Sequence, residues 1–395
     1  MNRRLEQFLA AEIAALKEKG IFRLPRVLST PALPRVRLDG RDVIQLSSNN
    51  YLGLTTHPRV VAAARRALDE FGAGPGAVRT IAGTMTLHRS LEAALARFKG
   101  TEEALVFQSG YTANVGVVST LMQEGDLILS DELNHASIID GCRLSKAGRG
   151  VYRHLDYDHL RDLLKAARAG ATNRILVVAD GVFSMDGDVS DLRAIAALCA
   201  EFDAIPMVDD AHATGVMGKN GRGTVDHFGV KDRWDIQIGT MSKAFGVMGG
   251  YVCAARPLVE FYVHRARPFL FSSSHPPAVV AACQAAVEVM ETEPALHERL
   301  WENTRHFKAG LKRLGFNTGT SVTPITPVII GSGAKAARFS DALFEAGVFA
   351  QGIFFPMVAE EKSRVRTIVM ATHTQDDLDE ALGAFEKVGK SLGVI

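Results

Sequence analysis

Six short apolar runs, separated by helix-patterned stretches and mostly ending in polar or glycine-containing clusters, set what this chain can fold into. The runs are Ala104–Phe107, Leu127–Ser130, Ile175–Ala179, Ile205–Val208, Ile236–Gly239 and Tyr251–Ala254. Helical spacing marks Leu87–Phe98, Ala136–Ser145, His159–Ala167 and Leu192–Phe202. Strand–helix–strand alternation predicts parallel strands joined by crossover helices, an α/β sheet covered on both faces. Several runs are apolar throughout rather than alternating, as strands buried on both faces must be.

The pattern changes after Pro276. Two helical stretches, Ala278–Met290 and Leu296–Leu314, lead into Val328–Ile330, Ala334–Ala346, Arg366–Val369 and Asp377–Leu392. The expected organisation is an N-terminal helix with a connecting segment (1–45), a large domain (46–280) and a smaller α+β domain (281–395). Two to three domains suit 395 residues. Leu5, Phe8, Leu9, Ile13 and Leu16 fall at helical spacing and Glu6, Glu12 and Glu18 interrupt them. That stretch therefore reads as an amphipathic helix stopped by Gly20, not a targeting segment.

Charge balances almost completely, 45 basic against 44 acidic side chains, which removes any global attraction to nucleic acid or an anionic membrane. No apolar run approaches a membrane span, so a cytoplasmic location is expected. Cys142, Cys199, Cys253 and Cys283 lie far apart with no C-x-x-C pair. They read as small buried hydrophobes, not as a metal site or disulfide framework.

Ligands of open α/β sheets bind beyond the carboxyl ends of the strands, and here those ends carry chemistry. Gln108-Ser109-Gly110-Tyr111-Thr112 opens a helical pattern, where unpaired backbone N–H groups suit a phosphate. Next come Asp131-Glu132-Leu133-Asn134-His135 and Asp180-Gly181-Val182-Phe183-Ser184-Met185-Asp186-Gly187. Val208-Asp209-Asp210-Ala211-His212 delivers two carboxylates and an imidazole to a buried strand end. A carboxylate there needs a cation or a donor network. Asp209 and Asp210 face opposite ways if the strand continues, which weakens a metal reading and favours a cationic ring nitrogen as partner for one of them. Thr240-Met241-Ser242-Lys243 places a lysine among hydroxyls beyond a further strand, 34 residues after Asp209. A lysine, an aspartate, histidines and a glycine-rich cradle fit pyridoxal 5'-phosphate (PLP). Gly72-Ala73-Gly74-Pro75-Gly76 is no dinucleotide fingerprint, and no P-loop motif occurs.

From about Ser47 to the C-terminus the chain resembles the α-oxoamine synthases, acyl-CoA-dependent enzymes of the aspartate-aminotransferase (fold type I) superfamily. The likeness rests on Ser-Asn-Asn-Tyr-Leu-Gly-Leu (48–54), Arg-Thr-Ile-Ala-Gly-Thr (79–84) with His88, and Asn-His-Ala-Ser-Ile-Ile-Asp-Gly (134–141). It extends through Asp-Gly-Val-Phe-Ser-Met-Asp-Gly (180–187), Val-Asp-Asp-Ala-His (208–212) and Thr-Met-Ser-Lys (240–243).

The resemblance implies a large domain with a mostly parallel central sheet, a smaller α+β domain, and PLP as cofactor. It implies that Lys243 is the Schiff-base lysine, Asp209 the partner of the pyridinium nitrogen, and His212 the hydrogen-bond partner of the phenolic oxygen. His135 would stack on the ring and help position substrates. Gly110 and Tyr111 would bind cofactor through the backbone, with Ser184 and Thr240 nearby. Ser272 and Ser273 would reach the phosphate of a neighbouring subunit, implying a homodimer with shared sites. Asn49 and Arg366 would take the amino-acid carboxylate.

Within the family the nearest likeness is to glycine C-acetyltransferases, on 134–141, Arg-Pro-Phe-Leu-Phe-Ser (267–272) and Arg-Val-Arg-Thr (364–367). Condensation of glycine with acetyl-CoA is therefore the expected reaction. The alternative is 8-amino-7-oxononanoate synthase, using alanine and pimeloyl-CoA with loss of carbon dioxide, or one enzyme doing both. Serine palmitoyltransferase, an aminotransferase and a non-catalytic subunit stand further off; the last should lack Lys243. Met357–Lys362 departs from the Val-Pro-x-Gly-like turn expected of the acetyltransferases, which touches acyl-chain specificity rather than chemistry.

Overall fold

The structure is a computed structural model that describes every residue except Met1, Lys19, Gly20, Ile21, Arg23, Ala171 and Pro356. The expected stop at Gly20 thus lies outside the described residues. Strands β1 (Arg35–Leu38) and β2 (Arg41–Gln45) come first, joined through Asp39 and Gly40, which both take positive φ as a tight hairpin requires. Then follow β3 (Glu103–Phe107), β4 (Leu127–Asp131), β5 (Gly148–Tyr152), β6 (Ile175–Asp180), β7 (Ile205–Asp209), β8 (Ile236–Thr240) and β9 (Gly250–Ala254). Last come β10 (Ile325–Ile329), β11 (Val348–Phe349), β12 (Gln351–Ile353) and β13 (Arg364–Ile368).

The chain divides into two compact units. The larger holds Asn49–Ser184 and Asp188–Leu300; the smaller holds Met1–Ser48, Met185–Gly187 and Trp301–Ile395. The expected boundary at 280/281 falls inside helix Pro277–Thr292, whose apolar side packs on helices Pro58–Phe71 and Thr86–Lys99 of the larger unit. The N-terminal residues to Ser48 belong with the smaller unit, where β2 pairs with β11.

A seven-stranded sheet ordered β3-β9-β8-β7-β6-β4-β5 organises the larger unit. Pairings among β8, β7, β6, β4 and β5 are parallel, whereas β9 runs antiparallel between β3 and β8. The alternation of strand side chains sorts the core into two layers. Leu176, Val178, Met207, Ile236 and Ile238 join one cluster with Val117 and Ile138 from helices Gly110–Leu121 and Ala136–Leu144. Ile175, Val177, Ala179 and Val208 face the other, with Leu160, Leu164, Ile195 and Leu198 from helices Tyr157–Ala169 and Leu192–Glu201. Each fully buried Val, Leu or Ile contributes about 1.5–3 kcal/mol, so both faces hold this sheet rigid beneath its loops. Below one edge, Arg79 and Glu92 form a buried pair with contacts of 2.9 and 3.1 Å.

The smaller unit has two three-stranded sheets, β1-β2-β11 and β10-β13-β12. Phe307, Phe316, Phe339 and Phe385 pack ring to ring at 5.8–6.1 Å. Arg364 is completely buried, with Nη1 donating to Met185 O at 2.9 Å and Asp186 Oδ1 at 2.6 Å. In the loop that departs from the acetyltransferase pattern, Glu360–Lys362 form a short 3-10 turn. Its Glu360 Oε1 accepts from Gly333 N at 2.7 Å, at the start of helix Gly333–Glu345. Helix Arg3–Glu18 buries no residue, and Leu5, Phe8, Leu9, Ile13 and Leu16 are all exposed. All four cysteines are buried free thiols. Among the described residues no helix is long and apolar enough to cross a membrane.

Candidate active site

β4, β6, β7 and β8 are neighbours, and their carboxyl ends deliver His135, Asp180, Asp209 and Lys243 side by side. At about 4.8 Å per strand those four ends span about 14 Å. They open on a cavity of ≈ 260 Å³. Eight of the residues expected from sequence line it: Gly110, Tyr111, His135, Ser184, Asp209, His212, Thr240 and Lys243.

Asp209 is buried in the cavity wall. Its Oδ2 accepts from Asn114 Nδ2 at 2.6 Å and its Oδ1 from Ala211 N at 2.8 Å. The second Asn114 N–H goes to Ser137 Oγ at 3.0 Å, and Ser137 Oγ lies 2.7 Å from His135 Nδ1. Because Ser137 N also donates to His135 Nδ1, at 3.2 Å, that nitrogen is an acceptor and the ring proton belongs on Nε2. Burial lowers the His135 pKa and Lys243 lowers it further against the opposing pull of Asp209, so the ring is neutral near pH 7. A neutral, laterally held imidazole is a flat wall for an aromatic ring.

His135 caps its helix, and its backbone N–H donates to Asp180 Oδ2 at 2.8 Å. Burial, reinforced by Asp209, raises the Asp180 pKa far above the carboxylate range. Tyr51 Oη meets His212 Nδ1 at 2.7 Å and fixes that ring. Ser109 caps helix Gly110–Leu121 and accepts from Thr112 N, so the helix begins at the cavity rim. A Cβ on Gly110 would sit 3.2 Å from Thr240 Cβ, and Thr240 Oγ1 is fixed by donation to Gly249 O at 2.8 Å. After Lys243 the chain turns at Gly246, φ +70°, where a Cβ would meet Thr55 N at 2.4 Å. Only glycine passes there.

Four expected residues do not line the cavity. Ser273 pairs with Val78, its carbonyl accepts from Gln108 Nε2 at 2.7 Å, and Ser272 precedes it on the same segment. Asn49 Oδ1 is buried with no hydrogen-bond partner among the described residues. Arg366 lies half-buried on β13 in the smaller unit. Conversely, Asn114, Ser137, Tyr51 and Asp180 were given no role from sequence. Asn114 had one usable signal: an amide in an apolar helix, four residues beyond Gly110 and so on its face.

An amine, a carboxylate, two fixed imidazoles and a helix N-terminus around a compact cavity suit PLP rather than a dinucleotide. The profile described as "Aminotransferase class I and II" matches residues 41–385. The chain belongs to this aminotransferase class I and II family. Within it the protein is a PLP-dependent acyltransferase of the α-oxoamine synthase type, as its relatives show. It is 57% identical to an 8-amino-7-oxononanoate synthase of Symbiobacterium thermophilum, over 99% of this chain and 100% of that one. It is 54% identical to one of Thermoanaerobacter pseudethanolicus, over 98% of each. A serine palmitoyltransferase from S. paucimobilis, solved with a bound PLP–myriocin aldimine, superposes with TM-score 0.94 at 34% identity, covering 99% of both chains. The two sequence relatives bear the second of the names read from the motifs, 8-amino-7-oxononanoate synthase, rather than the first, glycine C-acetyltransferase.

Proposed function

We propose that this α-oxoamine synthase condenses alanine with pimeloyl-CoA, releasing CoA, carbon dioxide and 8-amino-7-oxononanoate. The observation that carries the choice is the 57% identity along 99% of the chain to a relative of that name. One residue in each of two motifs that favoured glycine and acetyl-CoA does scaffold work. Asn134 Nδ2 donates to Val178 O at 2.9 Å, and Arg364 is buried against Met185 and Asp186.

When bound, PLP supplies an electron sink for the negative charge that develops at the amino acid's α-carbon. Lys243 Nζ would anchor the cofactor and is the amine placed to take the proton from the α-carbon. Asp209, held by Asn114 and Ala211, keeps a proton on the pyridine nitrogen; carboxylate and cation favour each other's charged forms. His135 would offer its imidazole face to the ring, and His212, fixed by Tyr51, would serve the phenolic oxygen. Backbone N–H groups of Gly110 and Tyr111, with Ser184 and Thr240 beside them, hold the polar substituents. Asn49 and Arg366 take the substrate carboxylate, for which a guanidinium offers paired hydrogen bonds. Ser272 and Ser273 serve the phosphate of a second copy in a homodimer, working in the cytoplasm. The larger unit is then the cofactor domain.

CoA release decides the reading. Alanine, glycine and serine are each supplied with acetyl-, pimeloyl- and palmitoyl-CoA. The expected outcome is fastest release with alanine and pimeloyl-CoA. Preference for glycine and acetyl-CoA would replace this reading with the glycine acetyltransferase one. No thiol release from any pair would remove both.

A further inference from the structure

We propose that His154 is a positioning residue for this cavity: by bridging Asp131 and Asp188 it ties the loop that presents His135 to the hairpin that presents Ser184. His154 lies just beyond β5, outside every motif discussed above. Its Nδ1 is 2.9 Å from Asp131 Oδ1 and its Nε2 is 2.8 Å from Asp188 Oδ2. Both ring nitrogens face carboxylates, and only an imidazolium with two N–H groups donates to both.

The two anchors belong to separate loops. Asp131 ends β4, four residues before His135. Its carboxylate also accepts from Leu133 N at 2.9 Å and Leu155 N at 3.1 Å, while His154 N donates to Glu132 Oε1 at 2.9 Å. Asp188 stands four residues after Ser184, on a hairpin closed by the Val182–Val189 bridge and by Phe183 N donating to Asp188 O at 3.1 Å. The Phe183 ring meets the imidazole edge-on at 4.5 Å. Two further features mark the segment. Leu155 takes φ +54°, a left-handed conformation costly for leucine. Asp188 Oδ1 is buried with no hydrogen-bond partner among the described residues, so His154 is the cation this carboxylate relies on.

The groups facing the imidazole are Asp131 and Asp188, with Glu132 on its backbone and the phenols of Tyr152 and Tyr157 nearby. Burial works against the charged ring, but Asp131 and Asp188 outweigh it and hold His154 up to about 9. Burial keeps the Tyr157 phenol protonated up to about 12 and Tyr152 well above its ordinary value. Of the imidazole and the two phenols, His154 is thus the one that titrates near pH 9.

The test rests on the reading that Lys243 holds PLP here. Holoenzyme is prepared as wild type, His154→Gln, Asp188→Asn and the double variant, and PLP release into a trap is timed well below each melting temperature. Hydrogen exchange is followed in 131–135 and 182–189. Losing a charge-assisted bond should speed PLP release about tenfold in each single variant, with little further gain in the double. Exchange should rise in both segments, not one. Wild type should release PLP faster as pH passes about 9, a step absent from His154→Gln. Wild-type release rates in both single variants, or faster exchange without faster release, would overturn the clamp. Failure of the underlying reading looks different: wild type then holds no PLP, or Lys243→Ala still holds it covalently.

Discussion

Asp209 and Asp210 are consecutive, and their carboxylates serve opposite ends of the design. Asp209 lines the cavity against Asn114 Nδ2 at 2.6 Å. Asp210 Oδ2 meets Lys99 Nζ at 2.8 Å in a pair with no exposed side-chain surface, and takes Thr224 N at 3.1 Å. Asp209→Asn should therefore spare stability and cut turnover by about 100-fold or more, the scale of a lost proton-holding group.

Asp210→Asn should do the reverse. It strands Lys99 as a buried unpaired cation, costing about 3–5 kcal/mol. For a unit of this size that lowers Tm by about 10 °C. Calorimetry and steady-state rates on the two variants check the pair of expectations together; an unstable Asp209→Asn beside an unaltered Asp210→Asn would reverse the assignment.

Asn114→Ala removes the amide that serves Asp209 and Ser137 at once. A hydrogen bond to a charged group is worth about 1.5–3 kcal/mol, so PLP affinity should fall about 10- to 100-fold. Asn114→Asp should be worse, since it sets a second carboxylate against Asp209. Absorbance titration with PLP measures both, and unchanged affinity in Asn114→Ala would show that Asp209 needs no support from that helix.

What the sequence revealed and what it hid have physical reasons. Both-face burial makes β6 and β7 continuous apolar runs, so they and the polar residues at their ends were legible. β5 was not: Gly148-Arg149-Gly150 reads as a turn, and the strand forms because β4 offers it an edge. The antiparallel course of β9 was hidden too, because the hydrophobic pattern carries no direction. The eight expected residues that line the cavity stand at or just beyond the carboxyl ends of strands, in stretches of distinctive polar composition. Asn114 and His154 escaped because each acts through a partner distant in sequence, Asp209 and Asp188. Arg364 shows that a residue of a recognisable motif can have partners that belong to the scaffold.

Three histidines should pull stability down on both sides of about pH 6.5. Burial holds His275 and His373 neutral with pKa values lowered to about 4. They stabilise the fold above their ordinary value of 6.5, and that contribution fades as pH falls toward 4. His154, raised to about 9 by its two aspartates, contributes fully below 6.5 and loses that contribution as pH climbs through 9. Calorimetric Tm from pH 4 to 10 should trace this dome, and in His154→Gln the alkaline limb should flatten while the acid limb stays.

The role of Lys243 can be read chemically, without turnover. Holoenzyme would be reduced with borohydride, digested, and the pyridoxyl-bearing peptide mapped by mass spectrometry. The expected result is a single label on Lys243, in the peptide containing Thr240-Met241-Ser242-Lys243. A label on any other lysine, or protein that takes up PLP and yields no labelled lysine, would contradict the assignment of this cavity as the catalytic centre.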